Sequence, residues 1–91
     1  LKTPTDIKLS QNYPNPFNPI TKINFYLDIN DFIELTIYDL RGRIMESLVD
    51  EILEPGTHRI QWMATNIPSG IYFAELKSGS YREIRKIMLL K

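Results

Sequence analysis

Few side chains in these 91 residues have the types or spacing needed for a reaction. His58 is the only histidine and there is no cysteine, so a Ser-His-Asp arrangement would have to be assembled on His58 as general base. Its neighbours in the local alternation are Ile60 and Trp62, which reads the imidazole as a ring packed beside Trp62. No His, Cys and carboxylate set has zinc spacing, and no glycine-rich loop of the phosphate-binding kind occurs. Asp28-Ile29-Asn30-Asp31 gathers the oxygen donors calcium prefers. The glycine and closing glutamate of an EF-hand loop are missing from it, however, and Asx residues are ordinary turn formers. Asp50, Glu51 and Glu54 could suggest paired carboxylates acting on sugars; beside Pro55-Gly56 they read as charges that keep a turn solvated. The residues therefore predict no enzyme, no metal and no cofactor.

Charge and composition narrow the class further. Eleven Lys+Arg balance eleven Asp+Glu, which removes the global attraction to nucleic acid or anionic membrane that a basic chain has. A 43 % apolar and 24 % charged composition is that of an ordinary globular domain. The charges are segregated: residues 28–54 hold eight acids against Arg41 and Arg43, while residues 77–91 hold five Lys or Arg against Glu83. Either neighbouring strands cancel these charges, or the basic stretch docks a partner. Trp62 and the tyrosines do not interleave with the basic stretch, which argues against stacking on nucleic-acid bases. No apolar run is long enough to cross a membrane. The opening Leu1-Lys2-Thr3-Pro4 reads as a cut inside a longer polypeptide.

The elements that must position everything else are short alternating runs, the signature of half-buried strands. They are Ile7-Lys8-Leu9, Lys22 to Leu27, Phe32 to Leu40, Arg43 to Asp50, His58 to Trp62, Ile71 to Lys77 and Tyr81 to Leu90. Ile23, Phe25 and Leu27 share a face, as do Ile33, Leu35 and Ile37, and His58, Ile60 and Trp62. Arg43 to Asp50 is less cleanly patterned, and a short helix over Ser47 to Leu53 is the lesser alternative. Gly42, Gly56, Gly70 and Gly79 all fall between runs, with Pro55-Gly56 suited to a type II turn and Ser78-Gly79-Ser80 to a hairpin. Pro4, Pro14, Pro16 and Pro19 stiffen the first nineteen residues. Seven short strands at this spacing predict an all-β, seven-stranded antiparallel immunoglobulin-like sandwich with a proline-rich N-terminal lead-in. Within it, Ile67-Pro68-Ser69-Gly70-Ile71-Tyr72 predicts a tyrosine corner. Residues 1–8 are read as linker and start of the first strand, and 9–91 as the domain.

Four segments are more specific than any of these patterns. They are Leu9-Ser10-Gln11-Asn12-Tyr13-Pro14-Asn15-Pro16-Phe17-Asn18-Pro19, Tyr38-Asp39-Leu40-Arg41-Gly42-Arg43, Pro68-Ser69-Gly70-Ile71-Tyr72-Phe73 and Lys86-Ile87-Met88-Leu89-Leu90-Lys91. In this order they resemble the C-terminal sorting domain of the type IX secretion system, which ends many exported proteins of Bacteroidetes and neighbouring phyla. They are also similar to the related immunoglobulin-like domain of flagellar hook-capping proteins. The resemblance implies a noncatalytic address label on an upstream cargo, read by the outer-membrane translocon after passage through the periplasm. In many members a sortase-like peptidase removes the label and joins the cargo to surface lipopolysaccharide, so Leu1 to Ile7 would contain or adjoin the cleaved linker. Carried over position by position, the recognition residues are Tyr13, Pro14, Asn15, Pro16, Tyr38, Asp39, Gly42, Arg43, Gly70, Tyr72, Lys86 and Lys91.

Physical reasoning offers a mode of recognition. A final strand at a sheet edge presents unpaired backbone groups to which a receptor strand can add, with Arg82, Arg85 and Lys86 speeding encounter and fixing register. The same free edges would allow an edge-strand dimer. Tyr13, Pro14 and Phe17 read first as a plug over one end of the sandwich, and Asn15 and Asn18 as groups that bond the lead-in to nearby backbone. Two other functions compete: a carbohydrate-binding or spacer module of a secreted hydrolase, which requires exposed aromatics, and a hook-capping scaffold fragment.

Overall fold

The computed structural model describes residues 7–79 and 81–91, so the expected linker before Ile7 and the Ser80 position of the last hairpin lie outside the described residues. The chain forms β1 (Lys8–Leu9), β2 (Ile20–Leu27), β3 (Asp31–Tyr38), β4 (Ile44–Leu53), β5 (Gly56–Met63), β6 (Gly70–Ser78) and β7 (Tyr81–Leu89). All pairings are antiparallel, in one sheet of order β1-β2-β5 and a second of order β4-β3-β6-β7. This is the two-sheet, Greek-key connectivity of an immunoglobulin-like sandwich.

The alternation assigns the faces. Ile23, Phe25 and Leu27 from one sheet meet Ile33, Leu35, Ile37, Ala74, Leu76, Ile87 and Leu89 from the other, and all are buried. Trp62 enters the same core at 2 % exposure. Burying these side chains supplies the main driving force, at about 25 cal/mol per Å² of apolar surface removed from water.

The run that patterned poorly does so for a visible reason. The register shifts between Leu35↔Val49 and Thr36↔Ser47, and again between Ile37↔Glu46 and Tyr38↔Ile44. Leu48 and Met45 are the extra residues, and both pack against the core from half-buried positions. Each bulge resets the phase of alternation. Residues 47–53 are therefore bulged strand rather than helix.

His58 departs from its expected neighbour. Its ring stacks on Phe25 at a centroid distance of 5.3 Å, and Nε2 lies 2.7 Å from the Glu54 carbonyl oxygen. Trp62 is four residues further along β5, about 13 Å away at the usual strand rise. The two share a face, but the antiparallel register places Phe25 opposite His58.

The sandwich closes through β1. Leu9 N–H donates to Glu83 Oε1 at 3.0 Å, and the Tyr81 hydroxyl, which donates to the same carboxylate, lies 3.0 Å from the Ile7 carbonyl oxygen. The short first strand thus bridges β2 and the outer side of β7.

Candidate recognition site

Most of the residues singled out by motif come together at one end of the sandwich. Gly70 pairs with Leu89 and Tyr38 with Phe73, which brings the start of β6, the end of β3 and the end of β7 to that end. Phe17 bridges to Leu89, and Ala64 N–H donates to the Pro19 carbonyl at 2.8 Å. The Lys91 amide donates to Ser69 Oγ at 2.8 Å, and its ammonium to the Thr65 carbonyl at 2.9 Å.

The Asp39 to Arg43 turn is built by one carboxylate. Asp39 Oδ1 accepts from the Arg41 and Arg43 amides, both at 2.9 Å, and Oδ2 accepts from Arg43 Nε at 2.8 Å. Gly42 supplies a φ of +80° there, a left-handed conformation that side chains with a Cβ disfavour. The Arg43 amide, its guanidinium and the Arg41 amide hold the Asp39 carboxyl below its ordinary range, against the opposing effect of partial desolvation. The motif Asp39-x-x-Gly42-Arg43 is thereby accounted for as a self-contained turn.

The tyrosine corner forms as expected. Tyr72 donates its hydroxyl to the Pro68 carbonyl at 2.6 Å, and burial raises its pKa above the ordinary phenol value. Its ring meets Trp62 edge-on at 6.1 Å, while Phe17 covers another side of the indole at 5.5 Å. Trp62 Nε1 donates to Glu46 Oε1 at 2.9 Å, which satisfies the one polar atom of the indole.

The segment before β2 divides its labour. Phe17 is the buried plug, whereas Tyr13 stands 79 % exposed and is held by its backbone pairing with Lys22. Asn12, which the motif reading passed over, is buried and donates through Nδ2 to Thr21 Oγ1 at 3.0 Å and to the Pro14 carbonyl at 3.2 Å. Pro14 and Pro16 are exposed. Asn15 Oδ1 accepts from the Met88 amide at 3.0 Å.

These contacts correct one expectation: the outer edge of β7 is not bare. Phe17 N–H donates to the Met88 carbonyl and Leu90 N–H to the Phe17 carbonyl, both at 3.0 Å. Gln11 Nε2 donates to the Lys86 carbonyl at 2.8 Å. An incoming strand would have to displace this cover. Arg85 is also spoken for, since its guanidinium is paired with Glu83.

On the outer face of the four-stranded sheet, the same end carries an open groove. Tyr38, Leu40, Phe73 and Ile84 supply apolar walls, and Asp39, Glu75, Lys77 and Arg82 supply charge. Glu75 is only 6 % exposed although it points away from the core. It is sheltered by Tyr38, whose hydroxyl donates to Oε1 at 3.1 Å, and by Arg82, whose Nε pairs with Oε2. Burial first, and then the Glu75 carboxylate, raise the Tyr38 hydroxyl above its ordinary value. Glu75 belongs to no motif, and its only sequence signal is an acid set among the apolar residues of β6. Arg82, read in the sequence as a docking charge, reaches it diagonally from β7, where Ile84 is the residue opposite Glu75 and Lys77 the one opposite Arg82. Lys86 lies on this same outward face, opposite Phe73.

Among the described residues no group of three His, Asp or Glu side chains could hold a metal ion. Asp31, from the loop weighed for calcium, accepts from Ser78 Oγ at 2.5 Å and from the Phe32 amide at 2.7 Å. No helix is long and apolar enough to cross a membrane among those residues.

Fold and site together define a small immunoglobulin-like module whose distinctive residues build turns, plugs and a surface groove. Residues 11–90 match the secretion-system C-terminal sorting domain family, and the chain belongs to it. It is a C-terminal sorting signal for the type IX secretion system, and its protein is exported through the periplasm and outer membrane to the cell surface or beyond. A sorting domain of this kind implies interaction with the secretion machinery and an upstream cargo, and is typically noncatalytic. No curated protein matches the chain.

Proposed function

We propose that the module is a purely noncatalytic label whose recognised surface is the end where the four motifs converge. The observation that carries this reading is the convergence itself. Tyr13 to Pro16, Tyr38 to Arg43, Gly70 to Tyr72 and Lys91 lie far apart in sequence and are held at one end by the bonds described above. Within that set, Asp39, Gly42, Arg43, Gly70 and Tyr72 shape the end, while Tyr13, Tyr38 and Lys86 present side chains at its surface. Translocon components dock there, and a sortase-like peptidase then cuts in the linker near Leu1 to Ile7 and transfers the cargo to surface lipopolysaccharide. His58, the only imidazole, is stacked on Phe25 and is assigned packing rather than proton transfer. A sugar-stacking role is not favoured, because Trp62 is sealed under Phe17 and Tyr72.

The test is to fuse residues 1–91 behind a fluorescent cargo in a host with an active type IX system. The cargo is expected to reach the surface or the medium, and removal of Lys86 to Lys91 is expected to leave it in the periplasm. Retention of the intact fusion beside an exported control would refute the reading.

A further inference from the structure

We infer that the groove on the outer face of the four-stranded sheet is the docking surface, and that it takes a protein segment presenting an apolar side chain next to a carboxylate. This rests on the sorting reading and names the face and the chemistry that the reading leaves open.

The case begins with Glu75. A carboxylate on the solvent side of a sheet ordinarily reaches into water, yet this one is enclosed by the Tyr38 ring, the Arg82 side chain and their neighbours. The consequence is a fixed guanidinium. The Tyr38 hydroxyl orients Glu75, Glu75 holds Nε of Arg82, and the Arg82 side chain is still 62 % exposed. A guanidinium held at Nε keeps its two terminal nitrogens for a planar, two-point bond to a partner carboxylate. Because the fork is already ordered, less side-chain entropy is lost on binding.

The surroundings supply the rest of the specificity. Lys77 lies opposite Arg82 and is paired with Glu34 at 4.0 Å, while Lys86 lies two outward positions further along β7, so the outward face of β7 carries the positive charge that complements an acidic segment. Beside it, Leu40 is 68 % exposed at the tip of the β3–β4 turn and faces Phe73, Tyr38 and Ile84 across the groove. That apolar pocket is where an aliphatic or aromatic anchor would be desolvated, as at the centre of most protein interfaces. The geometry also gives Tyr38 a positioning role that a turn alone would not require.

The test uses the same fluorescent fusion, with Leu40→Asp and Arg82→Glu as variants and Tyr38→Phe as the positioning variant. Arg59→Glu, the same charge reversal on the outward face of the other sheet, is the control. Leu40→Asp and Arg82→Glu are expected to cut export about tenfold or more, the change that roughly 1.4 kcal/mol of docking energy carries. Tyr38→Phe should give a smaller loss, and Arg59→Glu none. Melting of each purified domain separates docking from folding, and Leu40→Asp, which removes no bond, keeps the test open if Arg82→Glu unfolds. Wild-type export from a folded Leu40→Asp variant would overturn the assignment. So would a concentration-dependent dimer of the 91-residue chain that Leu40→Asp disperses, since the face would then belong to a second copy. Failure of the unmodified fusion to leave the periplasm would instead refute the sorting reading itself.

Discussion

At the scale of single residues, Trp62 is the most sensitive position. Its ring is enclosed by Phe17 and Tyr72 and its Nε1 is satisfied by Glu46, so truncation opens a large cavity, while the exposed Glu46 carboxylate returns to water. Trp62→Ala is expected to cost about 3–5 kcal/mol, measured as a shift of the urea midpoint at unchanged slope. On a domain of this size that is most of the stability available. Tyr72→Phe removes only the hydroxyl bonded to Pro68, and about 0.5–1.5 kcal/mol is expected from the same measurement. Gly42→Ala meets no steric obstacle, since nothing lies within 4 Å of an added Cβ. Its cost is confined to the left-handed backbone, about 1–2 kcal/mol, read from the same urea midpoint. These positions were legible in the sequence because each sits in a local pattern: alternation for Trp62, a corner for Tyr72, a turn for Gly42. Asn12, Glu75 and the pairing of Arg82 with Glu75 were not. Their partners are Thr21, Tyr38 and each other across strands, and such pairs form only once the register is known.

At the scale of elements, the coverage of β7 has consequences for export as well as stability. Phe17 pairs with the strand through two backbone bonds while its ring packs on Trp62. Phe17→Ala should therefore destabilise the fold by about 3–5 kcal/mol and also speed hydrogen exchange at the Leu90 amide, which donates to Phe17. Asn15→Ala separates exchange from core packing: it frees the Met88 amide at a cost of about 1 kcal/mol, with faster exchange there and a melting temperature lower by about 4–8 °C, well short of the loss in Phe17→Ala. The strands themselves were readable from period-two alternation, and their ends shifted by only a residue or a few. The bulges at Met45 and Leu48 were not readable, because an extra residue looks the same in sequence as a broken pattern. The edge cover was hidden for a related reason. A proline-rich segment announces stiffness, but which strand it lies along is decided by the distant Trp62 and Met88.

At the scale of the whole molecule, the two sheets are tied together on the β1–β7 side by one carboxylate, and this makes acid the condition that should loosen the sandwich. Burial pushes Glu83 up, but hydrogen bonds from the Tyr81 hydroxyl, the Leu9 amide and the Arg85 guanidinium outweigh it and hold its pKa below the ordinary value. A carboxyl whose folded value is depressed binds its proton less readily in the folded state than in the unfolded one. Its contribution is therefore fully present above the ordinary glutamate range and is lost as the pH falls through the folded value. Asp39 is shifted in the same direction and adds to the same acid limb, although its turn is exposed and its share is small. Glu83→Gln keeps the side chain's shape but weakens three bonds, one of them to a charged group, and should cost about 1.5–3 kcal/mol at neutral pH. The diagnostic is the pH dependence rather than the cost. Urea midpoints of wild type and Glu83→Gln should converge as the pH drops from the ordinary glutamate range, because protonation removes from the wild type what the variant already lacks. Parallel curves down to the acid transition would show that Glu83 does not link β1 to β7 through its charge.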